Sequence, residues 1–346
     1  MEKTLKPECA DDNGSTFPLV SILVVNWNGR ECIETCLHSC LQLSYPRYEI
    51  IVLDNDSVDG SAEIVESKFP SVRLIRNRKN EGFARACNIG IRAARGTYIS
   101  ILTCDAYVDS MWLSHLVREM TDSRKSGSGN TSIAAGIAYF HEPNDVICGG
   151  GGFIDLVTGW TWLPGAFGKS VRDTEDVDFV GGGAMLVKRE LFERIGLFDE
   201  NLFLYTEDVD LCLRARRAGY GLRVVPGARC WHMAPMEQKA SIRAYYLGAC
   251  SRFYVFFKHF PLRYLFSTIF FQLVVKPLSE VLLLHQPPIY LLLAIRAFGM
   301  NMLRLREALV ARTGLEKLGK TKARPRFREF LTTAAGRLAN TRYYRW

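Results

Sequence analysis

The sequence predicts an α/β fold: a doubly wound, mostly parallel sheet flanked by helices, followed by a helical, basic C-terminal extension. Three observations carry this. Short apolar runs alternate with helix-patterned segments through the first hundred residues. The connections between them are short and rich in Asn, Asp and Gly, which favour turns. The first strand is apolar almost throughout instead of alternating, as a strand covered on both faces must be. The length of 346 residues and hydrophobic content of 48% suit one large α/β domain with an appendage, or two modest domains, and they exclude wholesale disorder.

The elements follow in order. Residues 1–18 are polar, with Glu2, Glu8, Asp11 and Asp12, and read as a disordered leader without a signal peptide. The catalytic part is therefore expected in the cytoplasm. Residues 19–25 form the first strand, bounded by Asn26, Asn28 and Gly29. A helix over 31–43 is stopped at Tyr45-Pro46, and a strand over 49–53 runs into Asp54-Asn55-Asp56. A helix over 61–68, a strand over 72–76, a helix over 82–95 and a strand over 98–102 complete the first half, the last leading to Asp105. Beyond it, residues 122–131 read as a Ser/Gly loop. Gly149-Gly150-Gly151-Gly152 reads as a mobile loop or hairpin, since it lacks the G-x-G-x-x-G pattern of a dinucleotide site. That absence also argues against a dehydrogenase. A short helix over 191–195 and a longer one over 208–218 precede a strand over 222–225 that ends at Pro226-Gly227.

This layout places a ligand. In open α/β sheets, ligands bind beyond the carboxyl ends of the strands. Asn26, Asp54, Asp56 and Asp105 each fall just past a predicted strand end, so four polar groups spread along the chain converge on one crevice. A carboxylate there suits a hard divalent cation, Mg²⁺ or Mn²⁺, which takes one or two carboxylates together with phosphate oxygens. Thr103 and Cys104 precede Asp105, so a strict D-x-D pair is missing. Glu207, Asp208 and Asp210 form the densest acidic group of the second half and open a helix. Either one of them is a general base, or they complement the helix dipole.

The ten cysteines include no C-x-x-C pair and point to a reducing compartment. Cys32, Cys36 and Cys40 recur every four residues on one helical face. They read as small apolar residues turned to a core, with a three-thiol metal site as the lesser alternative.

Several motifs together resemble family 2 glycosyltransferases of the GT-A fold, in a bacterial branch similar to rhamnosyltransferases of surface-polysaccharide assembly. Val20-Ser21-Ile22-Leu23-Val24-Val25-Asn26-Trp27-Asn28-Gly29 resembles the family's first strand and nucleotide-binding turn. Asp54-Asn55-Asp56-Ser57-Val58-Asp59-Gly60-Ser61 is similar to its base-contacting segment, and Asn80-Glu81-Gly82-Phe83-Ala84-Arg85-Ala86-Cys87-Asn88 to the segment lining the nucleotide pocket. Asp105 falls on the final Asp of the metal motif. Gly181-Gly182-Gly183-Ala184 stands at the acceptor-side turn, and Tyr205-Thr206-Glu207-Asp208-Val209-Asp210 on the signature that carries the base. The resemblance implies a catalytic domain over 19–235, with a nucleotide half (19–118) and an acceptor half (119–235). It implies nucleotide-sugar binding by Asn26, Asn28, Asp54, Asp56, Gly82, Arg85 and Asn88, and metal held by Asp105 and His232. It further implies Asp208 as base with Glu207 beside it, and Gly182, Gly183 and Asp210 on the acceptor side. The expected reaction is transfer with inversion of a sugar, rhamnose by branch, from a nucleoside diphosphate to a glycan or lipid-linked acceptor of the cell envelope. The Thr103-Cys104 departure leaves open a nucleotide-sugar-binding protein with impaired catalysis, which would bind nucleotide without hydrolysis or transfer.

The last third reads differently. Residues 236–300 predict amphipathic helices. Their longest apolar stretch, 264–275, is twelve residues and is interrupted by Lys276-Pro277, whereas a span needs ~20. Residues 301–346 carry twelve Lys or Arg against three Glu, enough to account for the chain's net charge of +8. A basic tail after amphipathic helices suggests an anionic membrane surface, on the inner face of the cytoplasmic membrane. Helices packed on the catalytic domain, or a spanning hairpin, are the alternatives. Nucleic acid is not expected as a partner, because the tail contains no recognisable binding module.

Overall fold

The computed structural model describes residues 17–122, 131–142, 146–162, 175–233, 241–283 and 287–319. The first half runs β1 (Val20–Asn26), α1 (Ile33–Leu41), β2 (Tyr48–Asp54), α2 (Ser61–Lys68), β3 (Arg73–Arg76), α3 (Phe83–Ala93) and β4 (Tyr98–Thr103). There follow β5 (Ala106–Val108), α4 (Trp112–Thr121), β6 (Thr131–Phe140), β7 (Ile147–Gly149), β8 (Gly151–Ile154) and β9 (Thr161–Trp162). Next come β10 (Glu175–Asp176), β11 (Phe179–Val180), β12 (Ala184–Lys188), α5 (Arg189–Ile195), α6 (Glu207–Arg217) and β13 (Gly221–His232). The remainder is helical: α7 (Ile242–His259), α8 (Leu262–Phe270), α9 (Lys276–Leu283), α10 (Ile289–Leu303) and α11 (Leu305–Glu316).

The main sheet has the order β10-β13-β6-β12-β4-β1-β2-β3. Strands β4, β1, β2 and β3 are parallel. The second half makes the sheet mixed, because β12 enters antiparallel between β4 and β6. Alternate residues of the apolar runs serve opposite faces. Val20, Ile22, Val24, Ile50 and Val52 pack with Cys36, Val65 and Leu116 of α1, α2 and α4. Leu23, Val25, Ile51 and Leu53 pack with Cys87, Leu191 and Leu211 of α3, α5 and α6. Both faces are covered, which is why these strands tolerate no polar alternation.

Three details differ from the sequence reading. The four glycines do not form one loop: Gly149 ends β7 on the main sheet, and Gly151 begins β8 of a separate sheet ordered β11-β8-β9. Gly150 turns between them at φ 139°. The last strand does not end at Pro226-Gly227. It continues to His232, and its pairing with β6 shifts register between Val224 and Arg229, a bulge that absorbs the proline. Gly136 makes room for it, since a Cβ there would lie 1.9 Å from the Ala228 carbonyl oxygen. Pro277 does not interrupt its helix either. A π-helical turn, Phe271–Val275, lies between α8 and α9 and joins them, and the wider turn relieves the clash a proline makes with the preceding turn.

Helix α7 is not an amphipathic surface helix. Phe253, Tyr254, Phe256 and Phe257 are buried in a third core with Leu202, Leu213, Ala297 and Ala308. Most of the basic tail, from residue 320 on, lies outside the described residues, as does the leader to residue 16.

Candidate active site

The nucleotide-side residues separate into those that hold the loops and those open to a ligand. Asn26 and Asp54 are register partners at the ends of β1 and β2. The Asn26 amide donates to Asp54 Oδ1 at 2.8 Å, to Ser61 Oγ at 2.9 Å and to Ser57 Oγ at 3.2 Å. Both are buried, so they fix the shape of the turns. Asn28 and Asp56 are exposed beside them, each in the left-handed region, at φ 51° and 65°, which Asn and Asp tolerate best. Asn28 binds the opposite loop, its N–H donating to Ser57 Oγ and its Oδ1 accepting from the Val58 N–H.

Asn55, which the sequence reading did not single out, organises the next loop. Its amide donates to Asn80 Oδ1 and to the Gly82 carbonyl, and its Oδ1 accepts from the Glu81 N–H. Gly82 is required where it stands: φ is +81°, and a Cβ would lie 2.5 Å from the Phe203 carbonyl oxygen. Arg85 is exposed, 3.4 Å from Glu81 and 3.7 Å from Glu200. Asn88 is buried, exchanging hydrogen bonds with the Phe198 backbone at 3.0 Å. It therefore ties α3 to the turn before α6.

Asp105 and His232 meet because β5 pairs with the end of β13, placing His232 opposite Ala106. His232 Nε2 lies 3.1 Å from Asp105 Oδ2, and the Met233 N–H donates to the Asp105 carbonyl. Burial opposes ionisation of Asp105, but the hydrogen bond and charge of His232 outweigh it and hold the carboxyl below its ordinary pKa. That hydrogen bond in turn raises His232. The other Asp105 oxygen, Oδ1, is buried without a hydrogen-bond partner. An ionised carboxylate with a free oxygen beside an imidazole fits a hard cation that draws its other ligands from phosphates and water. No group of three His, Cys, Asp or Glu is arranged for a metal among the described residues, which also removes the three-thiol site. Cys36 and Cys40 are core residues.

On the other side, Asp208 stands in the first turn of α6. Its Oδ2 accepts from the Gly182 N–H and its Oδ1 from the Val209 N–H, both at 2.7 Å. Burial raises its pKa against these two bonds, which strengthens it as a base. A Cβ on Gly182 would lie 3.1 Å from Asp208 Cβ, so the glycine lets the turn approach. Gly183 joins the two sides, its carbonyl accepting from the Thr103 N–H at 3.0 Å. A pocket of about 340 Å³ lies against Gly181, Gly183, Cys148, Trp231 and His232. It thus borders both the turn that holds Asp208 and the imidazole that touches Asp105.

Glu207 is buried, and burial with the adjacent Asp208 charge pushes its pKa up to about 8. It is a protonated neighbour of Asp208 at neutral pH. The folded state retains a proton that the unfolded chain releases between 4.5 and about 8, so stability falls as pH rises through that window. Glu207→Gln is expected to melt several degrees above the parent at pH 9, with the gain vanishing at pH 4, in thermal scans across pH.

Asp210, which the resemblance puts on the acceptor side, lies in the core. It is 0% exposed and bonds Arg214 Nε at 2.9 Å, Lys258 Nζ at 2.6 Å and His259 Nε2 at 2.7 Å. Asp199, on the preceding turn, shares Lys258 at 2.6 Å. These ion pairs dock α6 on α7.

The family model for glycosyl transferase family 2 matches residues 21–196, and one for glycosyltransferase-like family 2 matches 165–246. The chain is 24% identical over 220 residues to a poly-beta-1,6-N-acetyl-D-glucosamine synthase of Staphylococcus epidermidis, covering 62% of this chain and 50% of that one. It is 28% identical over 213 residues to the glycosyltransferase AglE of Haloferax volcanii, covering 60% and 64%. The chain thus matches about half to two thirds of the length of these relatives. Among solved structures, GalNAc-T7 with UDP, GalNAc and Mn²⁺ superposes with a TM-score of 0.60 at 18% identity, covering 96% of this chain and 59% of that one. The mannosyltransferase PcManGT of Pyrobaculum calidifontis, in complex with GDP-Man and Mn²⁺, superposes at 0.54 with 19% identity, covering 98% and 88%.

Proposed function

The chain belongs to glycosyl transferase family 2 and has the GT-A fold, and from that premise we propose that it is a metal-dependent, inverting hexosyltransferase. It would move a sugar, rhamnose by the branch its motifs resemble, from a nucleoside diphosphate to a glycan or lipid-linked acceptor in cell-surface polysaccharide synthesis. One observation carries this reading: the pocket is lined both by Gly181 and Gly183 of the turn that holds Asp208 and by His232, which touches Asp105. Asp208 takes the proton of the acceptor hydroxyl as that oxygen attacks the anomeric carbon from the face opposite the leaving diphosphate. Asp105 and His232 would hold Mg²⁺ or Mn²⁺, which when bound offsets the charge of the departing diphosphate. Asn26, Asp54 and Asn55 keep the nucleotide loops open, with Asn28, Asp56 and Arg85 at their surface. The UDP, GDP-Man and Mn²⁺ bound to the two solved relatives support a nucleotide donor of this type.

The test is a thermal-shift series of nucleoside diphosphates and nucleotide-sugars, with and without Mn²⁺. A ligand at 100 times its Kd stabilises by ~2.7 kcal/mol. One nucleotide should therefore raise the melting temperature by several degrees, and more with Mn²⁺. If no nucleotide shifts the protein under either condition, the reading fails. Release of diphosphate from the donor that binds separates an enzyme from a binding protein with impaired catalysis.

We assign the C-terminal helices a peripheral place on an anionic membrane. Leu262–Leu282 is a 21-residue apolar helix, long enough by composition to cross a membrane. One face of it is tied to the catalytic domain, since Thr268 and Gln272 donate to the Leu156 and Thr158 carbonyls. The other carries Leu262, Phe266, Phe270, Val274, Leu278 and Leu282, with Phe266 84% exposed. Their spacing of four makes one apolar ridge, and a helix docked along its length favours lying in the interface over spanning. Phe266→Glu is expected to lower partition onto anionic vesicles by roughly tenfold or more, since burying a Phe contributes ~1.5–3 kcal/mol. Deleting residues 320–346, which keeps α11 on the third core, should remove the salt-sensitive part. Unchanged co-sedimentation of both variants would overturn this placement.

A further inference from the structure

Arg252 is a cation that the proposed chemistry does not use. It lies on α7 one turn beyond Gly248 and two beyond Tyr245, so the three share a face. That face meets the turn that leads to Asp208: a Cβ on Gly248 would lie 3.4 Å from Arg252 Nη1 and 3.6 Å from Cδ2 of the Tyr205 ring. Tyr205 is 42% exposed and stands at φ 69°, a strained conformation of the kind that gathers at functional sites. Arg252 is half-buried, and burial draws its pKa below the ordinary arginine value. Among the described residues its guanidinium makes no hydrogen bond and touches no carboxylate. Glu280, whose charge reaches it, is engaged by Lys276 and, at 3.0 Å, by the Tyr245 hydroxyl. Lys276 also lies over the Tyr245 ring, 5.4 Å from its centre. Two cations thus share one carboxylate, which leaves a positive charge beside the turn that carries the base.

A desolvated guanidinium calls for an anion, and its planar fork of donors matches a phosphate group. The helix that supplies Lys276 indicates what that phosphate is joined to. Thr268, Gln272, Lys276 and Glu280 recur every four residues and bond inward, to the catalytic domain or to Tyr245. The exposed apolar ridge from Leu262 to Leu282 runs two residues out of step with them. Charge and ridge therefore lie on opposite sides of one helix, which is only ~10–12 Å across. We propose that Arg252 heads a binding site for a lipid-linked phosphate: the guanidinium takes the phosphate of the acceptor, the lipid chain enters the membrane beside the ridge, and the acceptor sugar passes Tyr205 to reach Asp208. This rests on the functional reading above and names the acceptor class of that site. A phosphate held by Arg252 fixes the distance between the lipid and the attacking hydroxyl, so the site selects acceptors whose sugar is joined to lipid through phosphate.

The experiment titrates the full chain in non-ionic detergent with geranylgeranyl diphosphate, and separately with geranylgeraniol, inorganic pyrophosphate and phosphatidylglycerol. The parent should bind the prenyl diphosphate about tenfold or more tighter than any of the other three. Arg252→Met should weaken that binding by roughly 10–100-fold, the loss expected for hydrogen bonds to a charged group. Its binding of the alcohol and its thermal shift with nucleotide should match the parent's. Arg252→Lys keeps the charge without the fork and should recover part of the affinity. Should Arg252→Met fail to fold, Arg252→Lys decides the matter by a severalfold loss. Parental affinity for the prenyl diphosphate in the folded variant overturns the site. Pyrophosphate bound as tightly as the prenyl diphosphate overturns the lipid, and phosphatidylglycerol bound as tightly overturns the acceptor in favour of a membrane headgroup. A folded variant that loses the nucleotide shift overturns the assignment by moving Arg252 to the donor. Should no nucleotide shift the parent, the functional reading fails, and the prenyl diphosphate titration alone decides whether Arg252 binds a lipid phosphate.

Discussion

Replacing Asp208 by asparagine is expected to lower kcat by roughly 10²–10⁴-fold, the range for loss of a positioned base, while donor binding survives. The carboxylate is held by the Gly182 and Val209 N–H groups at the start of α6. Asparagine keeps the shape but can accept only one of these two bonds through its oxygen, and its NH₂ would oppose an N–H donor. That mismatch costs about 1–3 kcal/mol, so the variant should melt a few degrees lower yet remain folded. Burial raises the Asp208 pKa, and a raised base loses activity earlier as pH falls. The parent should therefore show kcat declining on the acid side, and the variant's residual rate should lose that limb. Donor binding by thermal shift, followed by kcat against pH, checks each part. Near-normal turnover, or loss of donor binding in a folded variant, would falsify the assignment of the base.

The first half of the fold was legible because its signals are local. Residues 19–25 and 49–53 read as strands from unbroken apolar runs ending in Asn or Asp, and the observed strands are Val20–Asn26 and Tyr48–Asp54. The second half depends on contacts that no local pattern records. Strand β6, Thr-Ser-Ile-Ala-Ala-Gly-Ile-Ala-Tyr-Phe, is weak in bulky residues, because Gly136 must admit the Ala228 bulge of β13. Proline in β13 read as its end for the same reason: the bulge that accommodates it exists only in the pairing with β6. At the site, Asp54, Asp105 and Asp208 were visible from position and motif. The contact of Asp105 with His232 was implied by resemblance alone, since it depends on β5 pairing with β13. The acidic cluster misled in one respect. Asp208 and Asp210 are two residues apart on a helix, hence about 200° apart around its axis. One therefore borders the pocket turn and the other the core, where residues from α7, far along the chain, meet it.

That inward aspartate carries the largest expected effect on stability. Asp210→Ala should cost about 3–5 kcal/mol, the usual range for removing one partner of a buried ion pair, or roughly 10 °C in melting temperature. The cluster is balanced as it stands. Arg214 and Lys258 are the cations, Asp210 and Asp199 the anions. His259 is neutral near pH 7, burial lowering its pKa to about 4. Without Asp210, Lys258 retains Asp199, while Arg214 is left to the Ile195, Gly196 and Leu197 carbonyls, with a net buried positive charge. The acid limb follows from the same groups. Although burial opposes it, the positive charges of Arg214 and Lys258 hold Asp210 well below the ordinary carboxylate pKa. Its contribution is thus present above the unfolded value, ~3.9, and lost as pH falls toward the folded one. His259 takes up a proton in the unfolded chain at 6.5 but in the folded one only at about 4, so stability declines as pH falls through that interval. In Asp210→Ala the imidazole loses the carboxylate that favours its protonation, so the His259 window widens while the Asp210 limb disappears. Thermal scans from pH 4 to 8 read both effects. An unchanged melting temperature at pH 7 would mean that α6 is held on α7 by apolar packing alone. The expected result is that the ion cluster fixes the helix on which Asp208 stands, and that transfer and stability fail together when it is broken.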